Sequence, residues 1–128
     1  MHTFVFEIID AVHGKQTFEK LFVDGVCFID EFEAEIKSDG QLYSEYRTIF
    51  AYMNFIAAGQ SLPKTKFREI KGGNIQTKRY EFKSKHLRIY AFNKPNGKVV
   101  VLGGYKQTQE NDINKLNAIV KEYIKSQR

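Results

Sequence analysis

Cysteine is almost absent from this sequence, and its scarcity limits where the chain can work. The 128 residues include a single cysteine, Cys27, so no disulfide can form within the chain and a reducing compartment fits. No signature of a nucleophilic cysteine surrounds Cys27. We therefore expect Cys27 to be a small buried side chain rather than a reactive one.

Long apolar runs are also missing. A membrane-spanning helix needs about 18 consecutive apolar residues, and no stretch of the sequence is that long. The segment MHTFVFEIIDAVHGKQTFEK at the start carries acidic side chains and lacks the apolar core of a secretory signal. We therefore expect a cytoplasmic protein without a membrane partner.

The sequence signatures of several enzyme classes are missing as well. No GxxxxGK[ST], GxGxxG or GxSxG pattern occurs, which argues against nucleotide-dependent enzymes and α/β-hydrolases. His2, His13 and His86 are scattered and have no second cysteine to join them as zinc ligands. We expect neither a metal nor another cofactor.

Positive charge and a substantial apolar fraction are what the sequence does have. The formal net charge is +5, and 42% of the residues are hydrophobic. A basic chain favours an anionic partner, either a nucleic acid or an acidic protein. The length is typical of one domain, so we expect residues 1–128 to form a single domain with one core.

The first half of the chain predicts a strand and two helices. Residues 3–9 are β-branched and aromatic and predict a strand, whereas residues 10–27 give only a weak strand signal in KLFVDGV, with a turn at Asp24-Gly25. Apolar residues then recur every fourth position from Phe28 to Ile36, and a second stripe covers residues 42–57 after a break at Ser38-Asp39-Gly40. These two helices are expected to pack as an antiparallel hairpin.

The second half predicts a basic loop, three strands and a helix. The segment LPKTKFREIKGGNIQTK, residues 62–78, is expected to be an irregular basic connection. RYEFK, HLRIYAF and KVVVLGGY then predict an antiparallel meander with a hairpin at Asn96-Gly97, and the last helix begins near Thr108 or Asn111. We expect an α+β fold in which the helices cover one face of a small antiparallel sheet.

The other face of this sheet is the predicted functional surface. Side chains alternate along a strand, so His86, Arg88 and Tyr90 point away from the face that Leu87 gives to the helices. Lys106 follows the neighbouring strand, close to the level of Arg88. An open positive face with an aromatic ring suits single-stranded RNA, because cations bind its phosphates and rings stack on its bases.

One part of the chain also resembles a known family. The runs YEFKSKHLRIYAF and KVVVLGGYKQTQENDI, residues 80–92 and 98–113, resemble the RelE/HigB superfamily, the toxins of bacterial type II toxin–antitoxin modules. The preceding helices and the LPKTKFREIKG connection have that family's layout, so the resemblance spans residues 28–126. It implies a RelE-like fold and an endoribonuclease, an mRNA interferase, that cuts mRNA on the ribosome without a metal. It also implies a cognate antitoxin that silences the toxin.

The resemblance implies roles for individual residues. Arg88 matches the strand arginine that contacts the scissile phosphate, and Lys106 matches the basic position at the end of the last strand. The acid and the base stay open among His86, Lys85 and Tyr90. The other positions that we expect to bind RNA are Lys64, Lys66, Arg68, Lys78, Arg79, Lys83 and Gln107.

Two differences from the family pattern leave alternatives open. Gln107 and Ile113 stand where RelE-type members carry an arginine and a tyrosine, so the pattern is closer to HigB-type toxins. One alternative is a ParE-like toxin that binds DNA gyrase and has no nuclease activity. The other is a non-catalytic RNA-binding module that uses the same face.

Overall fold

The N-terminal segment folds into a β-hairpin. A computed structural model describes residues 1–127, in which β1 (Phe4–Ile8) pairs antiparallel with β2 (Thr17–Val23). The predicted turn follows β2, where Asp24 and Gly25 have φ angles of 51° and 81°. The strand predicted at residues 3–9 is confirmed, and KLFVDGV supplies the second half of β2 and this turn.

Both predicted helices of the first half are confirmed, as α1 (Phe28–Ile36) and α2 (Gly40–Ala57). The carboxylate of Asp39 accepts the backbone N–H of Leu42 at 3.1 Å and so caps the N-terminus of α2. The side chains of Ile49 and Met53 are fully buried. This stripe packs α2 onto one face of the sheet.

The basic segment at residues 62–78 is not wholly irregular, and the prediction of a loop throughout is wrong. It contains β3 (Phe67–Ile70), which pairs antiparallel with the strand that follows it. Phe67 packs against Phe82 with 4.6 Å between the ring centroids. The strand forms because its partner offers an aromatic surface. The two charged residues inside FREI interrupt the apolar pattern from which a strand is predicted.

The meander and the last helix are confirmed. They comprise β4 (Arg79–Lys83), β5 (Leu87–Lys94), β6 (Gly97–Tyr105) and α3 (Gln109–Ser126). The hairpin between β5 and β6 turns at Pro95-Asn96, one residue before the predicted Asn96-Gly97 turn, because Gly97 already pairs with Lys94 as the first residue of β6. Asn96, the second turn residue, has a φ of 67°. A short 3₁₀ turn at Lys106–Thr108 joins β6 to α3.

The six strands form one sheet in the order β1-β2-β6-β5-β4-β3. All neighbouring pairs are antiparallel except β2 and β6, which run parallel and join the hairpin to the meander. Gly97 lies opposite Thr17 at the start of this parallel pair, where a Cβ atom would overlap the Thr17 carbonyl oxygen. A mostly antiparallel sheet with three helices confirms the α+β class.

Helices cover both faces of the sheet, so the expectation of helices on one face alone is wrong. Packed against α1 and α2 are Phe18, Phe82 and Ile89, all fully buried. On the opposite face α3 buries Leu116 and Val120 against a second apolar cluster. The face that was expected to be open is therefore partly covered.

Candidate functional site

Three cations surround one carboxylate at the end of the sheet where α3 begins. The strand register sets Arg68 opposite Glu81 and Lys83 opposite Arg88, all on the face that α3 covers. We call Arg68, Glu81, Lys83 and Arg88 the basic cluster. Glu81 is fully buried, and it accepts Arg68 Nε at 2.7 Å and Gln109 Nε2 at 2.5 Å.

Positive charge exceeds negative charge at the basic cluster, even when Asp112 of α3, whose carboxylate lies at the Gly104 backbone opposite Arg88, is counted with Glu81. Arg88 Nε lies 3.9 Å from Glu81, too far for a hydrogen bond, and has no hydrogen-bond partner in the described chain. Burial lowers the pKa of the Lys83 ammonium, and the neighbouring positive charges of Arg68 and Arg88 lower it further. The negative charge of Glu81 acts in the opposite direction and raises this pKa. An excess of positive charge in a half-buried place attracts an anion.

Arg88 is more enclosed than the sequence indicated. It is only 8% exposed, and its Nη1 donates to the carbonyl oxygens of Ser84 at 2.7 Å and Leu87 at 2.8 Å. The expectation that Arg88 lies on an open face is therefore wrong. Its guanidinium is fixed at the β4–β5 turn, and its charge acts from just beneath the surface.

Tyr90 and Arg79 are also enclosed, against expectation. Tyr90 is fully buried under α3, and burial raises the pKa of its hydroxyl. Arg79 is 2% exposed and donates to Asn117 of α3 and, at 2.5 Å, to the carbonyl oxygen of Gly72. Neither side chain can reach RNA in this conformation, because the apolar stripe of α3 needs the sheet surface on which both lie.

Four predicted residues do lie at the surface, beside the basic cluster. We call Lys85, His86, Lys106 and Gln107 the exposed rim; His86 is half-buried and the other three are exposed. The backbone N–H of Lys106 donates to the carbonyl oxygen of His86 at 2.9 Å. Arg88 pairs with Gly104, so Lys106 lies two residues beyond the level of Arg88.

His86 is held by a carboxylate that the sequence did not indicate, on the helix that covers the Leu87 face of the sheet. The expectation that His86 shares the face of Arg88 and Tyr90 is therefore wrong. Glu45 on α2 is 8% exposed and accepts His86 Nδ1 at 2.6 Å, the His86 backbone N–H at 2.8 Å and Ser84 Oγ at 2.5 Å. Burial raises the pKa of Glu45, but the hydrogen bonds from His86 and Ser84 outweigh it and hold the pKa at about 2. The glutamate therefore stays ionised in the folded protein at neutral pH.

The remaining predicted residues border β3. Lys64, Lys66 and Lys78 are exposed, and the Lys66 ammonium lies 5.3 Å from the centre of the Tyr52 ring. Arg68 is 33% exposed at its side chain. These cations extend the positive surface away from the basic cluster. Cys27, by contrast, is buried, as expected.

A cleft lies elsewhere in the described residues. It has a volume of about 560 Å³ and lies between the β1–β2 hairpin, α1 and α2, and none of the predicted site residues lines it. Its polar lining includes Glu7, Asp10, Asp30, Glu33 and Lys20. We place the candidate site at the basic cluster and the exposed rim, because most of the predicted site residues lie there and none of them lines the mostly acidic cleft.

Within residues 1–127, no group of three or more His, Cys, Asp or Glu side chains is placed to hold a metal ion. No helix in the same range is both long enough and apolar enough to cross a membrane. No family model, curated protein or solved structure matches the chain.

Proposed function

We propose that this chain is the toxin of a type II toxin–antitoxin module and cuts mRNA as a metal-independent endoribonuclease. The observation that supports this most is the excess of positive charge at one end of the sheet, where the basic cluster sets three cations around one carboxylate. The exposed rim adds two lysines beside it. Both groups lie in the part of the chain that resembles the RelE/HigB toxins.

The proposed chemistry needs positive charge more than any other single feature. Attack by a ribose 2′-hydroxyl on the adjacent phosphorus gathers negative charge on the phosphate oxygens, and fixed cations stabilise that charge best. Lys106 is exposed and is the proposed direct contact of the phosphate. Arg88 lies just beneath the surface and adds positive charge there. This is a supporting role, whereas the resemblance implies that Arg88 contacts the scissile phosphate directly.

The lysines around β3 give the RNA strand a path to the site. Lys64 and Lys66 lie just before β3 and Lys78 lies just before β4, and all three are exposed. Each cation that neutralises a phosphate releases counterions, so such a surface binds RNA without strong sequence preference. We propose that these lysines bind the backbone and that the exposed rim selects the phosphate to be cut.

The covering of the sheet by α3 favours a second candidate. Tyr90 cannot stack on a base, and Arg88 is nearly enclosed. A toxin of the same fold that binds DNA gyrase and cuts nothing needs neither residue exposed. The basic surface then serves for protein recognition, or for binding RNA without cutting it.

Either toxin needs an antitoxin, and the surface charge suggests its chemistry. The chain carries a net charge of +5, so an acidic segment that folds as it docks is the proposed partner. If it covers the exposed rim, it also blocks the RNA path. Such a pair works in the cytoplasm, where the ribosome and mRNA are found.

The test is induced expression in bacteria of wild type, Lys106→Ala and Lys121→Ala, with growth and transcript ends followed together. Lys121 is an exposed lysine on α3, so its variant loses the same charge away from the exposed rim. We expect wild type and Lys121→Ala to arrest growth and to cut transcripts at discrete positions within reading frames. Lys106→Ala should cut about 10²-fold more slowly, as expected when one transition-state donor is removed.

Other outcomes separate the candidates. Growth arrest with intact transcripts supports the gyrase-binding toxin and rejects the nuclease. Equal cleavage by all three proteins moves the site away from the exposed rim. No arrest by wild type contradicts both toxin functions.

A further inference from the structure

The Glu45–His86 pair has the geometry of a base and its positioning residue. Glu45 contacts both the ring and the backbone of His86, at 2.6 Å and 2.8 Å. We infer that His86 is the general base of the cleavage reaction and that Glu45 keeps its ring in the form that can accept a proton. This inference rests on the proposed nuclease function and adds two roles to it.

The tautomer of His86 follows from its partner. An ionised carboxylate can only accept hydrogen bonds, so the short contact requires a proton on Nδ1 of the ring. In a neutral imidazole with Nδ1 protonated, Nε2 carries the free lone pair. The His86 side chain is 45% exposed, and Nε2 makes no hydrogen bond with residues 1–127. The basic nitrogen is therefore open to a ligand.

The backbone fixes the position of this ring on two sides. The His86 N–H donates to Glu45, and the His86 carbonyl accepts from the Lys106 N–H at 2.9 Å. Glu45 from α2 is the charged group that contacts the ring, while Lys85 precedes His86 in the chain and Lys106 reaches it through the backbone. Arg88 Nη1 donates to the neighbouring Ser84 carbonyl. The base is thus held one backbone hydrogen bond away from Lys106, the lysine that is proposed to contact the phosphate.

The pair moves one proton in the proposed cleavage step. His86 Nε2 takes the proton of the ribose 2′-hydroxyl while the 2′-oxygen forms a bond to the adjacent phosphorus. The bond between phosphorus and the 5′-oxygen breaks, and that oxygen takes a proton from water. The products are a 2′,3′-cyclic phosphate and a 5′-hydroxyl, and Glu45 stabilises the imidazolium that forms.

The other two candidates for the base do not have this arrangement. Tyr90 is fully buried, so no 2′-hydroxyl reaches it. A lysine ammonium such as Lys85 has no lone pair and must lose a proton before it can act. Of these three candidates, only His86 combines an accessible nitrogen with a partner that sets its tautomer.

Glu45→Gln tests the pair because it keeps the size of the side chain and removes the charge. The backbone N–H of His86 cannot change its direction, so the glutamine oxygen must face it and the amide NH₂ must face Nδ1. Nδ1 then accepts, and the ring proton moves to Nε2. The base nitrogen is lost while the β4–β5 turn keeps its hydrogen bonds.

Two measurements are needed. Ring ¹⁵N NMR gives the tautomer of His86, and a cleavage assay follows mRNA under two conditions, with the purified protein alone and in a translating extract. We expect an Nδ1–H ring in wild type and an Nε2–H ring in Glu45→Gln. Cleavage should fall about 10²–10⁴-fold in Glu45→Gln and in His86→Gln. Imidazole added to His86→Gly should restore part of the rate, and the decline of the wild-type rate at acidic pH should disappear in His86→Gln.

Glu33→Gln is the matched control, since Glu33 is a half-buried helix glutamate that accepts the Tyr43 hydroxyl at 3.1 Å. It should keep both the tautomer and the cleavage rate. If wild type cleaves and Glu45→Gln or His86→Gln cleaves equally fast, the inference fails and the proposed function stands. If wild type cleaves under neither condition, the proposed function fails and takes the inference with it. An Nε2–H ring in wild type contradicts the assigned role of Glu45.

Discussion

At the scale of single residues, two buried carboxylates organise the site in different ways. Glu81 is fully buried and joins β3 to α3 through Arg68 and Gln109, so it fixes the basic cluster. Glu45 lies on the other side of the sheet and fixes the β4–β5 turn through Ser84 and His86. One carboxylate therefore sets where positive charge lies, and the other sets the orientation of the histidine.

The low pKa of Glu45 predicts a stability change in acid. A folded-state pKa of about 2, below the ordinary 4.5, means that the folded protein favours the ionised form. This contribution is present above about pH 4.5 and is lost as the pH falls toward 2. The free energy of unfolding should be larger for wild type than for Glu45→Gln. This difference, measured by urea unfolding at several pH values, should decrease as the pH falls across this window. A constant difference contradicts the prediction.

At the scale of elements, local periodicity in the sequence was sufficient to predict most of the helices and strands. The helices α1, α2 and α3 and the strands β4, β5 and β6 each carry a pattern that spans several turns or alternations. β3 was missed because its stability comes from its aromatic contact with β4. The parallel pairing of β2 with β6 was missed because it joins segments about 80 residues apart, and no local pattern reports such a distance.

The site was predictable only in part, for the same reason. The exposed rim was found because its residues follow directly from strand ends and turns. The burial of Arg79, Arg88 and Tyr90 was missed, since it depends on where α3 docks. Glu45 was missed because a glutamate beside an apolar helix stripe ordinarily indicates a solvated side chain.

The parallel junction between β2 and β6 predicts a strong effect of one methyl group. Gly97→Ala places a Cβ atom against the Thr17 carbonyl, so the strands must separate locally. We expect a loss of about 1–3 kcal/mol in the free energy of unfolding, measured by urea denaturation. Gly40→Ala is the control, because a Cβ atom at the first residue of α2 meets nothing within 4 Å. It should be neutral or slightly stabilising, and equal losses in both variants would count against this account.

At the scale of the whole molecule, charge is unevenly spread. The basic cluster and the exposed rim occupy one end of the β4–β5–β6 meander, whereas four carboxylates and two cations line the cleft beside the β1–β2 hairpin. Under the proposed function, this uneven distribution presents the positive side of a chain with a net charge of +5 to an approaching polyanion.

This asymmetry predicts how RNA binding depends on salt. Binding of a 2′-O-methyl oligonucleotide, which 2′-hydroxyl attack cannot cut, should weaken linearly with the logarithm of salt concentration. Each phosphate contact contributes about 0.7 to the slope for a single strand. Lys106→Ala should reduce the slope by about that amount and Lys121→Ala should not, as measured by fluorescence anisotropy. A salt-independent affinity rejects the phosphate-binding surface.

The parallel pairing of β2 with β6 also bears on the order in which the chain folds during synthesis. The β1–β2 hairpin leaves the ribosome first, but its partner strand β6 is the last strand to be made. A hairpin of two strands is marginally stable by itself, so the nascent chain holds no finished sheet until β6 has emerged. Lys106 and the turn that carries His86 come together only at that moment. Under the proposed nuclease function, a growing chain therefore has no assembled site with which to attack the message that encodes it.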